Sequence, residues 1–140
     1  MKASYVIHQD RHFVDEVVLG AVTRNELSAF FSSVFKDPKW EPTLDGVLDF
    51  TSATIDLGYM DMRDLVAGLR NNPALSRGRW ACVVSGDAAY GMLRMYEALS
   101  DGLHSDFRIF RQREAALAWI TGSRTPPERP FHRRHRETHP

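Results

Sequence analysis

Much of what would betray the class of this chain is missing from it, and each absence excludes something. A single cysteine, Cys82, has no partner for an internal disulfide, so nothing asks for an oxidising compartment. No apolar run approaches the roughly 20 residues needed to cross a bilayer, and Met1–Asp10 carries no signal-peptide pattern. The expectation is a cytoplasmic protein without a membrane span. Net charge is also missing, since 18 basic residues balance 18 acidic ones. That balance conceals an asymmetry. From Gly122 onward, Arg124, Arg129, Arg133, Arg134 and Arg136 face only Glu128 and Glu137, which leaves the preceding body at −3. A slightly acidic body argues against a dedicated nucleic-acid surface. No cofactor motif or metal-ligand set is present, so no cofactor is implied.

What is present suffices for one ordinary folded unit. With 140 residues, 43% of them apolar, the chain can bury a core without staples; about 68% of the unfolded surface is buried at this size. The organisation reads as a domain over residues 1–122 and a basic, Pro- and His-rich tail over 123–140, whose composition predicts disorder.

Along the body, Tyr5–His8 and Phe13–Leu19 are runs of β-branched and aromatic residues around the polar Gln9-Asp10-Arg11-His12, which predicts an antiparallel hairpin. Gly20 is expected to end the second strand. Thr23-Arg24-Asn25-Glu26 fits a capping box, with Val22 and Leu27 placed for a hydrophobic staple. Leu27, Phe30, Phe31, Val34 and Phe35 then form one apolar helix stripe, and Pro38 and Pro42 prevent its continuation. Gly46–Phe50 reads as a short buried strand and Thr51–Gly58 as a polar connection. A second helix carries Met62, Leu65, Val66 and Leu69 on one face, capped by Gly58 or Asp61 and stopped by Asn71-Asn72-Pro73. Trp80–Ser85 is a central strand apolar on both faces. A third helix follows, with Asp87 as its N-cap and Met92, Met95, Tyr96 and Leu99 inward. Asp106–Phe110 is the last strand, and Gln112–Ile120 the last helix, burying Ala116, Trp119 and Ile120. The order β-β-α-β-α-β-α-β-α predicts an α/β fold with a mixed sheet.

Several residues invite chemical readings. His8 and His12 flank the hairpin turn, but no third ligand accompanies them for zinc. Asp49 ends an apolar strand; it is either an acid/base candidate with a pKa raised by burial or an acceptor for amides near Thr51 and Ser52. Ser85-Gly86-Asp87 lies where phosphate can be cradled, yet Met92 and Leu93 stand where a Walker loop needs Lys-Ser/Thr. Cys82 reads as a small buried hydrophobe. Met60, Met62, Met92 and Met95, with Tyr59, Tyr90 and Tyr96, gather around helices two and three, either as core or as walls of a pocket for an apolar ligand or lipid. In the tail, His132, His135 and His139 suit weak metal contact, and the arginines suit anions.

The segments Gly20–Glu26, Asp37-Pro38, Val47-Leu48-Asp49-Phe50, Tyr90–Glu97 and the closing Phe110…Ala115–Ile120 occur in an order and spacing that resembles the STAS superfamily, in particular small stand-alone SpoIIAA-like bacterial proteins. The resemblance covers Tyr5 to Ile120. It implies a non-enzymatic regulatory or protein-interaction module that works at the loops after strands three and four and the starts of helices two and three. Position at the expected switch edge, rather than a motif, singles out Thr51, Ser52, Thr54, Tyr59, Ser85, Asp87 and Tyr90 as its binding residues. The phosphorylatable antagonists of that family carry an Asp-Ser-x-Gly type motif where helix two begins; here Gly58-Tyr59-Met60-Asp61-Met62 offers no acceptor hydroxyl. The alternative is a small apolar-ligand or lipid-binding protein with its pocket under helices two and three, and the remotest reading is an enzyme using Asp49. A homodimer through an exposed sheet edge or helix face is compatible with the pattern.

Overall fold

A computed structural model describes residues 1–122; the expectations for the tail from 123 to 140 lie outside the described residues. Five strands form one sheet in the order β1 (Lys2–His8), β2 (Phe13–Val22), β3 (Asp45–Ile55), β4 (Arg79–Val83) and β5 (Asp106–Phe110). The first pair is antiparallel and the remaining pairs are parallel, as the alternation of strands and helices demands. Four helices complete the chain: α1 (Arg24–Phe35), α2 (Tyr59–Arg70), α3 (Asp87–Leu99) and α4 (Arg113–Thr121).

Because β2 to β5 advance across the sheet without reversal, right-handed crossovers place α1, α2 and α3 on the same face. That face holds the larger core, built on Val14, Val18, Leu48, Phe50, Trp80 and Cys82. On the opposite face Phe13, Val47, Ala81 and Val83 pack against Ala116 and Ile120 of α4. β4 is thus covered on both sides, which accounts for its unbroken apolar run. Cys82 is buried there as expected.

Local chemistry explains most boundaries. The Thr23 hydroxyl accepts the Glu26 amide at 3.2 Å and donates to the Glu26 carboxylate at 3.0 Å, which starts α1. After α1, Asp37 accepts the Tyr5 hydroxyl at 2.7 Å and the Lys39 amide at 2.8 Å. Gly58 is the N-cap of α2, with Asp61 in the first turn. Gly86, not Asp87, is the N-cap of α3: its φ of +89° suits glycine, and Asp87 becomes the first helical residue. Gln112 is likewise the cap of α4 rather than part of it. In α3 the fully buried residue is Leu93, and Met92, Met95, Tyr96 and Leu99 are half-buried. Trp119 is half-buried too, with Arg79 and Arg108 stacked on its ring.

The largest departure from the sequence reading is the length of the central strands. β2 does not stop at Gly20; it passes through that glycine at φ +83° and continues to Val22. β3 does not stop at Phe50 but pairs with β2 as far as Ile55, so Thr51–Ile55 is strand rather than connection. The register slips there, Val17 pairing with Asp49 but Leu19 with Ser52, which sets Phe50 and Thr51 against Val18 alone. This bulge reverses the side-chain phase of β3. Leu48 and Phe50 enter the larger core before it, and Ala53 and Ile55 enter the same core after it. Without the bulge, alternation would turn Ile55 outward.

Candidate functional site

The strand β2 alternates Val14, Glu16 and Val18 toward the larger core, so a glutamate occupies an apolar row in the middle of the sheet. Its neighbours are Tyr5 on β1 and Leu48 on β3. Glu16 is 1% exposed, and its Oε1 atom has no hydrogen-bond partner among the described residues. It lines a cavity of about 70 Å³ between the sheet and α1–α3. Phe31 and Phe35 come from α1, Met62 and Leu65 from α2, Leu93 and Tyr96 from α3, and Trp80 and Cys82 from β4. Burial, with a smaller contribution from the charge on neighbouring Asp15, pushes the Glu16 pKa up to about 8. The carboxyl is therefore protonated at neutral pH and presents one O–H donor to an apolar space.

A chain of hydrogen bonds runs along another wall of the same cavity. The Trp80 indole donates to the Ser76 hydroxyl, which donates to the Leu44 carbonyl at 3.4 Å. The Ser76 carbonyl lies 3.0 Å from His104 Nδ1, and the Tyr96 hydroxyl 2.7 Å from His104 Nε2. A carbonyl only accepts, so Nδ1 carries the proton and Nε2 accepts from Tyr96. Burial lowers the His104 pKa against the opposing effect of the Ser76 bond, keeping the ring neutral. Burial likewise raises the Cys82 thiol and the Tyr96 phenol, which stay protonated. Trp80, Ser76, Tyr96 and His104 are thus all engaged, unlike Glu16 Oε1.

On the opposite face lies a charged cluster. Arg113, at the start of α4, donates to Asp49 at 2.9 Å and to Asp15, joining three elements. The other Asp49 oxygen accepts the Thr51 amide at 2.8 Å and the Thr51 hydroxyl at 2.7 Å. Burial alone would raise the Asp49 pKa, but the Thr51 bonds and Arg113 outweigh it and hold the carboxyl below its ordinary range. Asp49 is mid-strand, points to α4 and is fully engaged, which unfits it as a general acid.

The residues expected to bind from sequence occupy the edge where the parallel strands end. Thr51, Ser52, Thr54, Ser85 and Asp87 are exposed, and Tyr59 is 55% exposed beside an equally exposed Met60. The Ser85 hydroxyl donates to the Thr51 carbonyl at 3.0 Å. Asp87 pairs with Arg111 at 3.0 Å, and the Arg111 guanidinium lies 4.4 Å from the Tyr90 ring centre. Thr51 therefore joins Ser85, and Asp87 joins Tyr90 through Arg111. Since the strand order never reverses, this edge has no switch-point crevice of the kind that binds ligands in doubly wound sheets. Of the turn histidines, His8 stacks on Phe13 and His12 lies 3.1 Å from the Thr43 hydroxyl.

Glu16, Asp15 and Arg113 are not among the site residues expected from sequence. Glu16 had a signal: within an otherwise apolar alternation, its parity matches Val14 and Val18. Arg113 had none, because only the folding of α4 across the back of the sheet brings it to Asp15 and Asp49.

No helix among the described residues is long and apolar enough to cross a membrane. No protein-family model matches the chain, and no curated protein matches it. Among solved structures, it is similar to an uncharacterized protein of the DUF3478 family with a SpoIIAA-like fold from Shewanella loihica PV-4. The TM-score is 0.54 at 20% sequence identity, over 85% of this chain and 92% of that one. The resemblance seen in the sequence thus extends to the architecture: the fold is SpoIIAA-like, with the mixed sheet and four helices expected.

Proposed function

We propose that this chain is a non-enzymatic cytoplasmic binding module whose ligand is a small, largely apolar molecule seated between the sheet and α1–α3. One observation carries this reading: a fully buried glutamate, with its Oε1 lacking a hydrogen-bond partner, at the wall of an apolar cavity. Leaving a buried polar group unsatisfied costs about 1–3 kcal/mol, and a ligand with one hydrogen-bonding group would recover that cost. Size sets the scale of the ligand. An engineered cavity of about 150 Å³ binds benzene, so the 70 Å³ here suits a group of a few heavy atoms. Native mass spectrometry of protein purified from its own cells tests the idea. A bound mass on the wild type that is lost on Glu16→Leu is expected; a clean unliganded mass, together with no thermal stabilisation by short alkanols, would sink it.

A second reading, a STAS-type protein-interaction module without the phosphoacceptor serine, is favoured by Tyr59 and Met60, each 55% exposed at the start of α2. Thr51, Ser52, Thr54, Ser85, Asp87 and Tyr90 would form the rim of that surface, with a protein partner or a second copy of the chain upon it. Sedimentation at several concentrations tests the homodimer: Tyr59→Ser with Met60→Ser should weaken self-association, and a concentration-independent monomer excludes it.

A further inference from the structure

Resting on the reading of the cavity as a ligand site, we infer that its occupant is an organic cation, a small apolar amine or quaternary ammonium whose charge seats against Glu16. The sign comes from the lining. Glu16 is its one acid, and no lysine or arginine is among the lining residues. An anionic ligand, such as a fatty-acid carboxylate, would meet no positive group there and would face the acid. A cation meets the only group able to take up a matching charge. The walls suit it as well, since Phe31, Phe35, Phe50, Trp80, Tyr96 and Phe107 all border the space, and aromatic faces attract cations that have left water.

Cation binding at this site is coupled to a proton. The titratable groups facing Glu16 are Tyr5 from β1, Cys82 from β4, Tyr96 from α3 and His104 from the segment before β5, while Asp15 is adjacent on its own strand. The side chains that α1, α2 and β3 bring to the lining are all apolar. Tyr5 donates to Asp37, and His104 is neutral with both nitrogens engaged, so none of these groups compensates a charge on Glu16. Buried among these groups, Glu16 holds its proton to about pH 8. Seating a permanent or protonated cation therefore expels one proton from the carboxyl to solvent, leaving a neutral ion pair. Affinity then rises about tenfold per pH unit up to the Glu16 pKa and levels off above it. A neutral ligand that accepts the Glu16 O–H shows no such rise.

The test is an NMR titration of the 140-residue chain with n-propylammonium and with its uncharged counterpart n-propanol, following the Trp80 indole N–H at about pH 6, 7 and 8. The expected result is preferential binding of the cation at pH 8, weakening about tenfold per unit toward pH 6, and a loss of at least tenfold in cation affinity in the Glu16→Gln variant. Equal affinity for the two probes, a cation affinity indifferent to Glu16→Gln, or one flat with pH overturns the inference. If propanol alone binds, the cation assignment falls and the cavity remains a ligand site. If neither probe perturbs Trp80, both readings fall. The pH series on the wild type keeps the inference falsifiable even where the variant folds poorly.

Discussion

Substituting Glu16 by glutamine tests the most unusual feature of this core through stability alone. A glutamate in the unfolded chain titrates near its ordinary value of 4.5, and in the fold near 8. Between those values the native state holds one more proton than the unfolded state. A carboxyl with a raised folded pKa contributes its full stability below the unfolded value, and that contribution is lost as pH climbs through the folded one. The slope is about 1.4 kcal/mol per pH unit, or roughly 5 kcal/mol across the whole interval. Against the 5–15 kcal/mol typical of folded domains, that is a large share. Glutamine keeps the shape and a donor but cannot ionise, so its contribution does not vary with pH. Urea denaturation of both proteins at about pH 5, 6.5 and 8 isolates the effect, because every other titrating group cancels in the difference. Near pH 5 the two should lie within about 1–3 kcal/mol, the cost of an imperfectly bonded buried amide. By pH 8 the variant should be the more stable, with the difference growing steadily between. A difference that is flat across this range, or that grows in the opposite direction, would show that Glu16 is not held neutral by burial.

Three further outcomes follow from the packing. Arg113→Met leaves Asp15 and Asp49 facing each other without their shared cation; given the partial exposure of Arg113, a loss of about 2–4 kcal/mol is expected. Since the Asp49 pKa is lowered in the fold, its stabilisation is present above the ordinary carboxylate range and vanishes as pH falls through the folded value. The penalty of Arg113→Met should therefore shrink in acid, and urea titrations at neutral and acidic pH check this. Gly46→Ala puts a Cβ only 2.3 Å from the Trp80 ring, and an overpacked core of this kind costs about 1–3 kcal/mol; the urea midpoint should drop, and the drop caused by Gly46→Ala should be smaller when it is introduced into a Trp80→Leu background than into the wild type. Cys82 is buried and its thiol raised above the ordinary range, so a thiol reagent should label it only after unfolding, and labelling of the native protein at the rate of a free thiol would contradict this burial.

The local rules of helix and turn chemistry were legible from the chain. The cap at Thr23 and Glu26 and the stop after α1 at Asp37-Pro38 are set by residues adjacent in sequence, and the unbroken apolar run Trp80–Val84 announced a strand covered on both faces. The ends of β2 and β3 were not, because the signals used to end strands have two meanings. Gly20 reads as a terminator, yet within a paired ribbon its positive φ lets the strand continue. Thr51-Ser52-Ala53-Thr54 reads as polar connection, yet pairing with β2 makes it strand, and a bulge rephases it. Asp87 looks like a helix cap because aspartate caps well, but the preceding glycine takes the extended turn instead.

The candidate site divides along the same line. The alternation Val14-Asp15-Glu16-Val17-Val18, read alone, already places Glu16 with the valines and Asp15 on the other face, since side chains of a strand alternate. The sequence could therefore determine that an acid faces the apolar side. It could not determine what becomes of that acid. That depended on three helices closing over one face and bringing aromatic and aliphatic walls but no base, while Arg113 was committed to the opposite face with Asp15 and Asp49. Burial and charge pairing are properties of assembled surfaces, set by contacts between residues far apart in the chain, so only the tertiary structure decided that Asp15 is paired and Glu16 is not.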